Sequence, residues 1–399
     1  MVPLRTLKVA LTDMAHRGEA LGRINGQVVF AAFGVPGEEV VVEVTRQRRD
    51  YLLGRVVEVD QPSEDRVSPP CPYFGRCGGC QLQHIAYQRQ LALKTAVVQD
   101  QMVRIGGFTD PPVQPMLGAR DPWGYRNHAR FSVDGAGRLG YVSSDGTRYR
   151  FVQVDECQIM HPQINAALKD LQGKARESRQ VSVRYGINTG QVLVQPRLRE
   201  PTVETPTGQL YLEEQLLGRR FRISAASFFQ VNPVQAERMV EVVRDRIAPR
   251  GTELLLDAYA GVGTFAILLA PYVDRVIAIE ESPSAVEDAR WNVEHAGLHN
   301  IDLMLGKVEH VLPDLDRRAD VVILDPSRNG CHRKVLDCLV RFRPSTVVYV
   351  SCDPATLARD LRILVDGGYR LEEVQPIDMF PQTYHIECVS TLRWQGTWS

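Results

Sequence analysis

Cys352 stands where the apolar, β-branched run 347–350 passes through Ser351 into Asp353-Pro354. Such a run reads as a buried strand of a parallel sheet, and in open α/β sheets chemistry gathers outside the carboxyl ends of the strands. The pattern therefore delivers this cysteine to the working edge. A helix is expected to follow at 355–366, and N–H groups near its start could stabilise a thiolate. A buried cysteine acting as a small hydrophobe is the competing reading. Glu387 is the second candidate. Two β runs, 369–376 and 386–393, are joined by roughly ten loop residues, which suits an antiparallel pair. If the first runs parallel to the strands before it, the second starts at the edge where Cys352 ends. Glu387 then comes near Cys352 although it lies 35 positions later. A carboxylate at the mouth of an apolar sheet is placed to act as a tuned general base; a hydrogen-bonded edge carboxylate is the plainer alternative.

A third site is a strand, glycine turn and helix over 253–270, with Gly261-x-Gly263-x-x-Ala266 at the turn and Glu280 ending the next strand, 19 residues after Gly261. This satisfies a dinucleotide fingerprint, with Glu280 placed to bind ribose hydroxyls. S-adenosylmethionine uses the same geometry, so a nicotinamide enzyme remains open on this motif alone. Asp325 closes a further strand, 320–325. The fourth site is Cys71-x5-Cys77-x2-Cys80, a tight glycine-bearing loop whose thiols must converge. The partner available before the last third of the chain is Cys157. Zinc or an iron–sulfur cluster could each accept four thiolates; the paired spacing of a zinc ribbon is absent, which favours the cluster.

These groups must be positioned by 399 residues, enough for two or three domains. The 47 Lys+Arg nearly balance 48 Asp+Glu, so nucleic-acid binding would rest on local patches such as Arg46, Arg48 and Arg49 beside Tyr51. No run of about 18 apolar residues and no leader pattern is found, so a soluble cytoplasmic protein with no membrane contact is expected. There eight cysteines are better read as ligands, nucleophiles or core residues than as disulfides. Short strands at 7–11, 20–24, 27–31, 39–44 and 53–59, separated by turns at Gly22, Asn25-Gly26 and Pro36-Gly37, predict a small OB-like barrel over 1–60. A helix is expected over 81–105, then a largely β region. Tyr125-Arg-Asn-His-Ala-Arg130 in that region would suit phosphate contacts, with a solvated strand edge the alternative. Asn232-Pro233 should cap a helix over 234–247.

Together these residues resemble the RNA uracil-C5 methyltransferases, the class that includes the bacterial 23S ribosomal RNA enzymes and the tRNA T-loop enzyme. Ser351-Cys-Asp-Pro-Ala-Thr356 resembles the nucleophile motif, and Tyr384-His-Ile-Glu387 the segment holding the general base. Phe229-Gln230-Val-Asn232, Asp257-Ala-Tyr-Ala-Gly261, Glu280 and Leu324-Asp325-Pro326 resemble its cofactor motifs. The resemblance implies that Gln230, Tyr259, Gly261, Glu280 and Asp325 contact S-adenosylmethionine, with Asp325 instead or also facing the uracil edge. It identifies the first barrel with a TRAM domain and matches Cys71, Cys77, Cys80 and Cys157 to the ligands of [4Fe-4S] members. Ser327 departs from the proline or alanine of many relatives.

The implied architecture is multi-domain. A TRAM barrel spans 1–60, a central α+β iron–sulfur and RNA-binding domain 61–222, and an α/β Rossmann-like methyltransferase domain 223–399. The implied reaction is addition of Cys352 to C6 of a uracil, methylation at C5, and removal of the C5 proton by Glu387. The expected partner is RNA, 23S rRNA favoured and tRNA possible, with the protein acting as a monomer. A nicotinamide oxidoreductase, and a redox-sensing or radical RNA-binding protein, are the readings from other classes. The first gives no role to Cys352 and Glu387, and the second leaves the last domain idle.

Overall fold

The computed structural model describes residues 5–144 and 149–396, so the outermost residues of the first and last expected domains lie outside the described residues. Strands β1 (Thr6–Met14), β2 (Ala20–Ile24), β3 (Gln27–Ala32), β4 (Glu39–Gln47) and β5 (Tyr51–Gln61) close into a barrel in the order β1-β2-β3-β5-β4. The strands alternate, and Val9, Leu11, Val29, Ala31, Val40 and Val42 fill the interior. Asn25 and Gly26 both take positive φ, 49° and 80°, as a two-residue hairpin turn requires. The expected five-stranded barrel is present.

Helix α1 (Tyr87–Arg104) starts six residues later than the sequence suggests. The N–H groups of Gln81 and Leu82 are directed instead to the carbonyl of Gln382, at 3.1 and 3.0 Å, and those of Ile85 and Ala86 go to turn carbonyls. Its buried Val97, Val98 and Met102 join the core of the last domain. A five-stranded sheet follows, built from β6 (His128–Val133), β7 (Leu139–Ser144), β8 (Tyr149–Gln153), β9 (Gln180–Tyr185) and β10 (Val192–Gln195) in the order β10-β9-β6-β7-β8. Helix α2 (Pro162–Leu171), not anticipated from the sequence, covers it with Ile164, Ala167, Leu168 and Leu171. The hairpin β11 (Tyr211–Leu216) and β12 (Arg219–Ser224) sends Leu212, Leu216, Phe221 and Ile223 into the core of the last domain. The expected division at 222/223 therefore cuts a strand, and α1 and this hairpin both pack with the C-terminal sheet.

That sheet is laid down by α3 (Pro233–Ile247), β13 (Leu254–Asp257), α4 (Thr264–Leu269), β14 (Arg275–Glu280), α5 (Pro283–His295), β15 (Ile301–Leu305), α6 (Val308–Val311), β16 (Val321–Leu324), α7 (Arg333–Phe342), β17 (Thr346–Ser351), α8 (Pro354–Asp366), β18 (Tyr369–Ile377) and β19 (Glu387–Trp394). Asn232 caps α3 as expected, its side chain accepting from Gln235 N–H. The strand order is β15-β14-β13-β16-β17-β19-β18. The first five are parallel, and β19 runs antiparallel to both β17 and β18, so β18 runs with the parallel set. Alternate residues serve opposite faces: Leu255, Val276, Ile323 and Val348 pack on one side, and Leu256, Ile277, Val322 and Val347 on the other. Burial of each such side chain contributes roughly 1.5–3 kcal/mol, which holds the strand ends in register. Among the described residues no helix is long and apolar enough to cross a membrane.

Candidate active site

The strand order reverses at β13, whose neighbours are β14 and β16, so a crevice opens beyond the carboxyl ends of these strands. Asp257 ends β13, Glu280 ends β14, Asp325 follows β16 and Cys352 follows β17. Glu387 opens β19 opposite them. Ser351 pairs with Cys388 across β17 and β19, so the next positions outward, Cys352 and Glu387, face each other. Cys352 is half-buried and Glu387 is 7% exposed. Burial and the neighbouring Asp325 push the Glu387 carboxyl far above the usual carboxylate range, with Arg328 opposing.

The helix after the nucleophile does not stabilise a thiolate in the way its position suggests. Asp353 caps α8 itself, its Oδ1 accepting from Ala355 N–H at 3.1 Å and Thr356 N–H at 2.9 Å. Those donors are therefore spent on a carboxylate. Burial, then Glu387, push the Cys352 thiol up to about 12, while Arg328 pulls it down. Arg328 is placed by the same helix, since Thr356 Oγ1 donates to its carbonyl at 3.1 Å. Further along, Asp360 receives Cys331 N–H at 2.8 Å and the Tyr349 hydroxyl at 2.7 Å. Arg359 donates to Asn329 O at 3.0 Å. The 325–331 loop is thus clamped onto α8.

The glycine turn carries a surprise for the dinucleotide reading. Asp257 Oδ2 accepts from Ala266 N–H at 3.0 Å, and Glu280 Oε2 accepts from Gly261 N–H at 2.8 Å. Glu280 Oε1 takes Ser282 N–H at 2.7 Å. Donors that would grip a pyrophosphate already hold the protein's own carboxylates. Burial pushes both Asp257 and Asp325 up to about 7, and Asp257 Oδ1 has no hydrogen-bond partner. A crevice lined by buried carboxylates suits a cationic ligand and disfavours a nicotinamide dinucleotide. Gln230 is half-buried in the extended stretch before α3, between Phe229, which packs on Phe221 at 5.8 Å, and Val231, whose carbonyl receives Asn127 N–H at 2.9 Å. Tyr259 is half-buried against the α8 side of the core, with its hydroxyl in contact with Cys331.

Cys71, Cys77, Cys80 and Cys157 all line one cavity of about 430 Å³, together with Arg126, His128, Arg130, Tyr384 and His385. All four are free thiols, and Cys77 and Cys157 pack on the core of the central sheet. Among the described residues no three His, Cys, Asp or Glu side chains form a group able to hold a single metal ion. Burial pushes Cys80 up to about 12 and Cys157 to about 11.

Sequence reasoning missed how the segment before Glu387 is held. Lys94 Nζ lies 2.7 Å from Asp378 Oδ1, both side chains fully buried, and the Tyr87 hydroxyl donates to Asp378 Oδ2 at 2.9 Å. Gln90, Tyr125, Asn232 and Gln235 each donate to residues 378–382. Lys94 sits in the middle of a helix at a core position, and a lysine there was the legible signal. Arg328, three residues after Asp325, carries no signal in the sequence that marks it as part of the site.

Comparison with known proteins bears on these features. A family model described as tRNA (Uracil-5-)-methyltransferase matches residues 206–394, and a TRAM domain model matches residues 4–57. An uncharacterized RNA methyltransferase of Halalkalibacterium halodurans is 34% identical, the match covering 97% of this chain and 96% of the relative. One from Thermosynechococcus vestitus is 37% identical, covering 97% and 98%. Among solved structures, the Pyrococcus abyssi tRNA (uracil-54, C5)-methyltransferase in complex with S-adenosyl-L-homocysteine superposes with a TM-score of 0.76 at 26% identity, covering 97% of this chain and 100% of that one.

Proposed function

The chain belongs to the RNA (uracil-5-)-methyltransferase family, and from that premise we propose that it methylates C5 of a uridine in 23S rRNA through a covalent bond between Cys352 and C6. The observation that carries this reading is the facing of Cys352 and Glu387 across β17 and β19. S-adenosylmethionine supplies a methyl group on a cationic sulfonium. Gln230, Tyr259, Gly261, Glu280 and Asp325 would hold it, and the buried carboxylates at Asp257 and Asp325 match its charge.

The chain's own groups do the rest. Cys352 Sγ, as thiolate, adds to C6, and the electron pair of the C5–C6 double bond moves into an enolate. That enolate takes the methyl group at C5. Glu387, as carboxylate, then removes the C5 proton; the C5–H pair re-forms the double bond, and the C6–S pair returns to Cys352. Arg328 is the cation that opposes the cost of a thiolate beside the three carboxylates of Glu387, Asp325 and Asp353. The uridine must leave its stack to reach both groups, so an unpaired loop or a flipped base is required.

Cys71, Cys77, Cys80 and Cys157 are proposed to hold a [4Fe-4S] cluster. Zinc binds sulfur at about 2.3 Å and draws four thiols into one tight group. Four thiols that border one cavity but form no single-ion group among the described residues suit the larger cluster. Its part is structural, tying the 71–80 loop to the central sheet, since methyl transfer needs no electron.

The second reading of the RNA is the tRNA T-loop. It is favoured by the Pyrococcus abyssi tRNA enzyme, which spans the barrel as well as the catalytic domain. That match covers 97% of this chain, so it spans the barrel and the 71–157 stretch alike, and the ribosomal assignment rests on the resemblance of the four-cysteine set to the [4Fe-4S] members. Purified protein with labelled S-adenosylmethionine should methylate 23S rRNA fragments and leave tRNA transcripts unlabelled, with Cys352→Ala inactive. Labelling of tRNA alone would move the assignment, and activity in Cys352→Ala would refute the chemistry.

A further inference from the structure

Two parts of the chain assigned separate tasks, the four-cysteine loop and the segment leading to Glu387, share a small set of hydrogen bonds. Gln81 follows Cys80 directly. Its side-chain amide donates to Gly78 O at 2.7 Å, inside the cysteine loop, while its Oε1 accepts from Tyr384 N–H at 3.4 Å, three residues before Glu387. The backbone N–H groups of Gln81 and Leu82 both donate to Gln382 O, at 3.1 and 3.0 Å. Gln382 is 2% exposed and holds φ at 68°, a left-handed conformation that a glutamine keeps only where its surroundings hold it. Gln90 supplies that hold, donating to Gln382 Oε1 at 2.9 Å and accepting Gln382 N–H at 3.2 Å. The same Gln90 nitrogen also lies 3.1 Å from Leu82 O and 2.8 Å from Ile85 O, so its two N–H groups are shared among three acceptors and one side chain spans both segments.

Cys352 is held differently. Its strand lies between β16 and β19, and the turn after it is closed by Asp353 and Ser351. The two catalytic groups thus share the β17–β19 ladder and differ in the segment that flanks each: the one before Glu387 runs to the cysteine loop, and the turn after Cys352 does not.

We propose that Gln81 and Gln382 form a latch through which the four-cysteine loop positions Glu387, so that removal of the C5 proton depends on the latch while addition of Cys352 to C6 does not. This rests on the covalent reading given above. Gln81 and Gln382 are positioning residues: a base displaced by about 1 Å loses on the order of a hundredfold in rate.

The test uses full-length protein with its metal content measured, 5-methyluridine formation as product, and the methylated protein–RNA species resolved on denaturing gels. In Gln81→Ala the metal content and the rate of adduct formation should stay within about twofold of wild type, small against the roughly hundredfold loss expected for a base displaced by about 1 Å. The ratio of adduct to product should rise at least about tenfold, and amide exchange over 380–386 should quicken. Gln81→Glu keeps an acceptor for Tyr384 N–H but has no donor for Gly78 O, so the cysteine loop is uncoupled and the ratio should stay raised as in Gln81→Ala. An unchanged ratio in Gln81→Ala, or a wild-type ratio in Gln81→Glu, overturns the latch alone. Wild-type protein that forms no adduct at all refutes the covalent reading and the latch with it.

Discussion

Lys94→Met tests whether the buried pair beneath the catalytic segment is a real support. Lys94 and Asp378 are both fully buried, Nζ to Oδ1 at 2.7 Å, and Nζ also donates to Phe380 O at 3.2 Å. Burial pulls the Lys94 ammonium below its usual range, and Asp378 opposes that shift. Methionine keeps the length of the stem but removes the charge, leaving Asp378 with the Tyr87 hydroxyl on its other oxygen. Breaking a buried pair from one side costs about 3–5 kcal/mol, because an uncompensated charge stays behind. For a cooperative unit of 150–250 residues, each kcal/mol lowers the midpoint by about 2–4 °C, so a fall of roughly 6–20 °C is expected. Asp378→Asn should cost a similar amount. The double variant should recover a large part, since it leaves no buried charge unpaired. Thermal and urea unfolding of the four proteins read this directly. A loss below about 1 kcal/mol in Lys94→Met, or strictly additive losses in the double variant, would refute the account of the pair.

Cys157→Ala should abolish the brown colour and the iron of carefully purified protein, and stoichiometric zinc without iron in the wild type would contradict the cluster. Asp257 and Asp325, pushed up to about 7 by burial, must shed protons to meet a cationic cofactor. Affinity for S-adenosylmethionine should therefore climb between pH 6 and 8 by up to about tenfold per unit for each carboxylate that ionises, with buffer-dependent proton release in calorimetry; a flat profile would count against it. The same carboxylates titrate near 4 when unfolded. Their contribution to the stability of the cofactor-free protein is thus present below about pH 4 and is lost as pH rises through about 7, which unfolding midpoints at pH 5 and 8 would show as a decline.

Much of the architecture was legible because it rests on local pattern. Turns at Asn25-Gly26 and alternating valines announce the barrel, and continuous apolar runs ending in Asp257, Glu280, Asp325 and Cys352 announce a two-sided parallel sheet. The reversal at β18 and β19 was legible from loop length, and it brings Glu387 to Cys352. What escaped is set by tertiary competition for backbone groups. Residues 81–86 have helical composition, but Gln81 and Leu82 donate to Gln382, and no propensity argument sees a partner about 300 positions away. The supposed thiolate stabilisation at α8 failed because Asp353 reaches the same N–H groups first. Helix α2 was within reach: His161-Pro162 and the spacing of Ile164, Ala167, Leu168 and Leu171 are a start signal and an apolar stripe. The assignment of α1 and the β11–β12 hairpin to the last core was not, since segments from distant parts of the sequence meet there.

The central claim is that Cys352 and Glu387 act at successive points on one covalent pathway. Glu387→Gln keeps the thiol, the cofactor crevice and nearly the same side-chain volume, but cannot take the C5 proton. With RNA and methyl-labelled S-adenosylmethionine, this variant should accumulate a protein–RNA species that survives denaturing electrophoresis and carries the label, and the added Cys352→Ala substitution should abolish it. Normal turnover by Glu387→Gln, or a labelled adduct that persists without Cys352, would contradict the account.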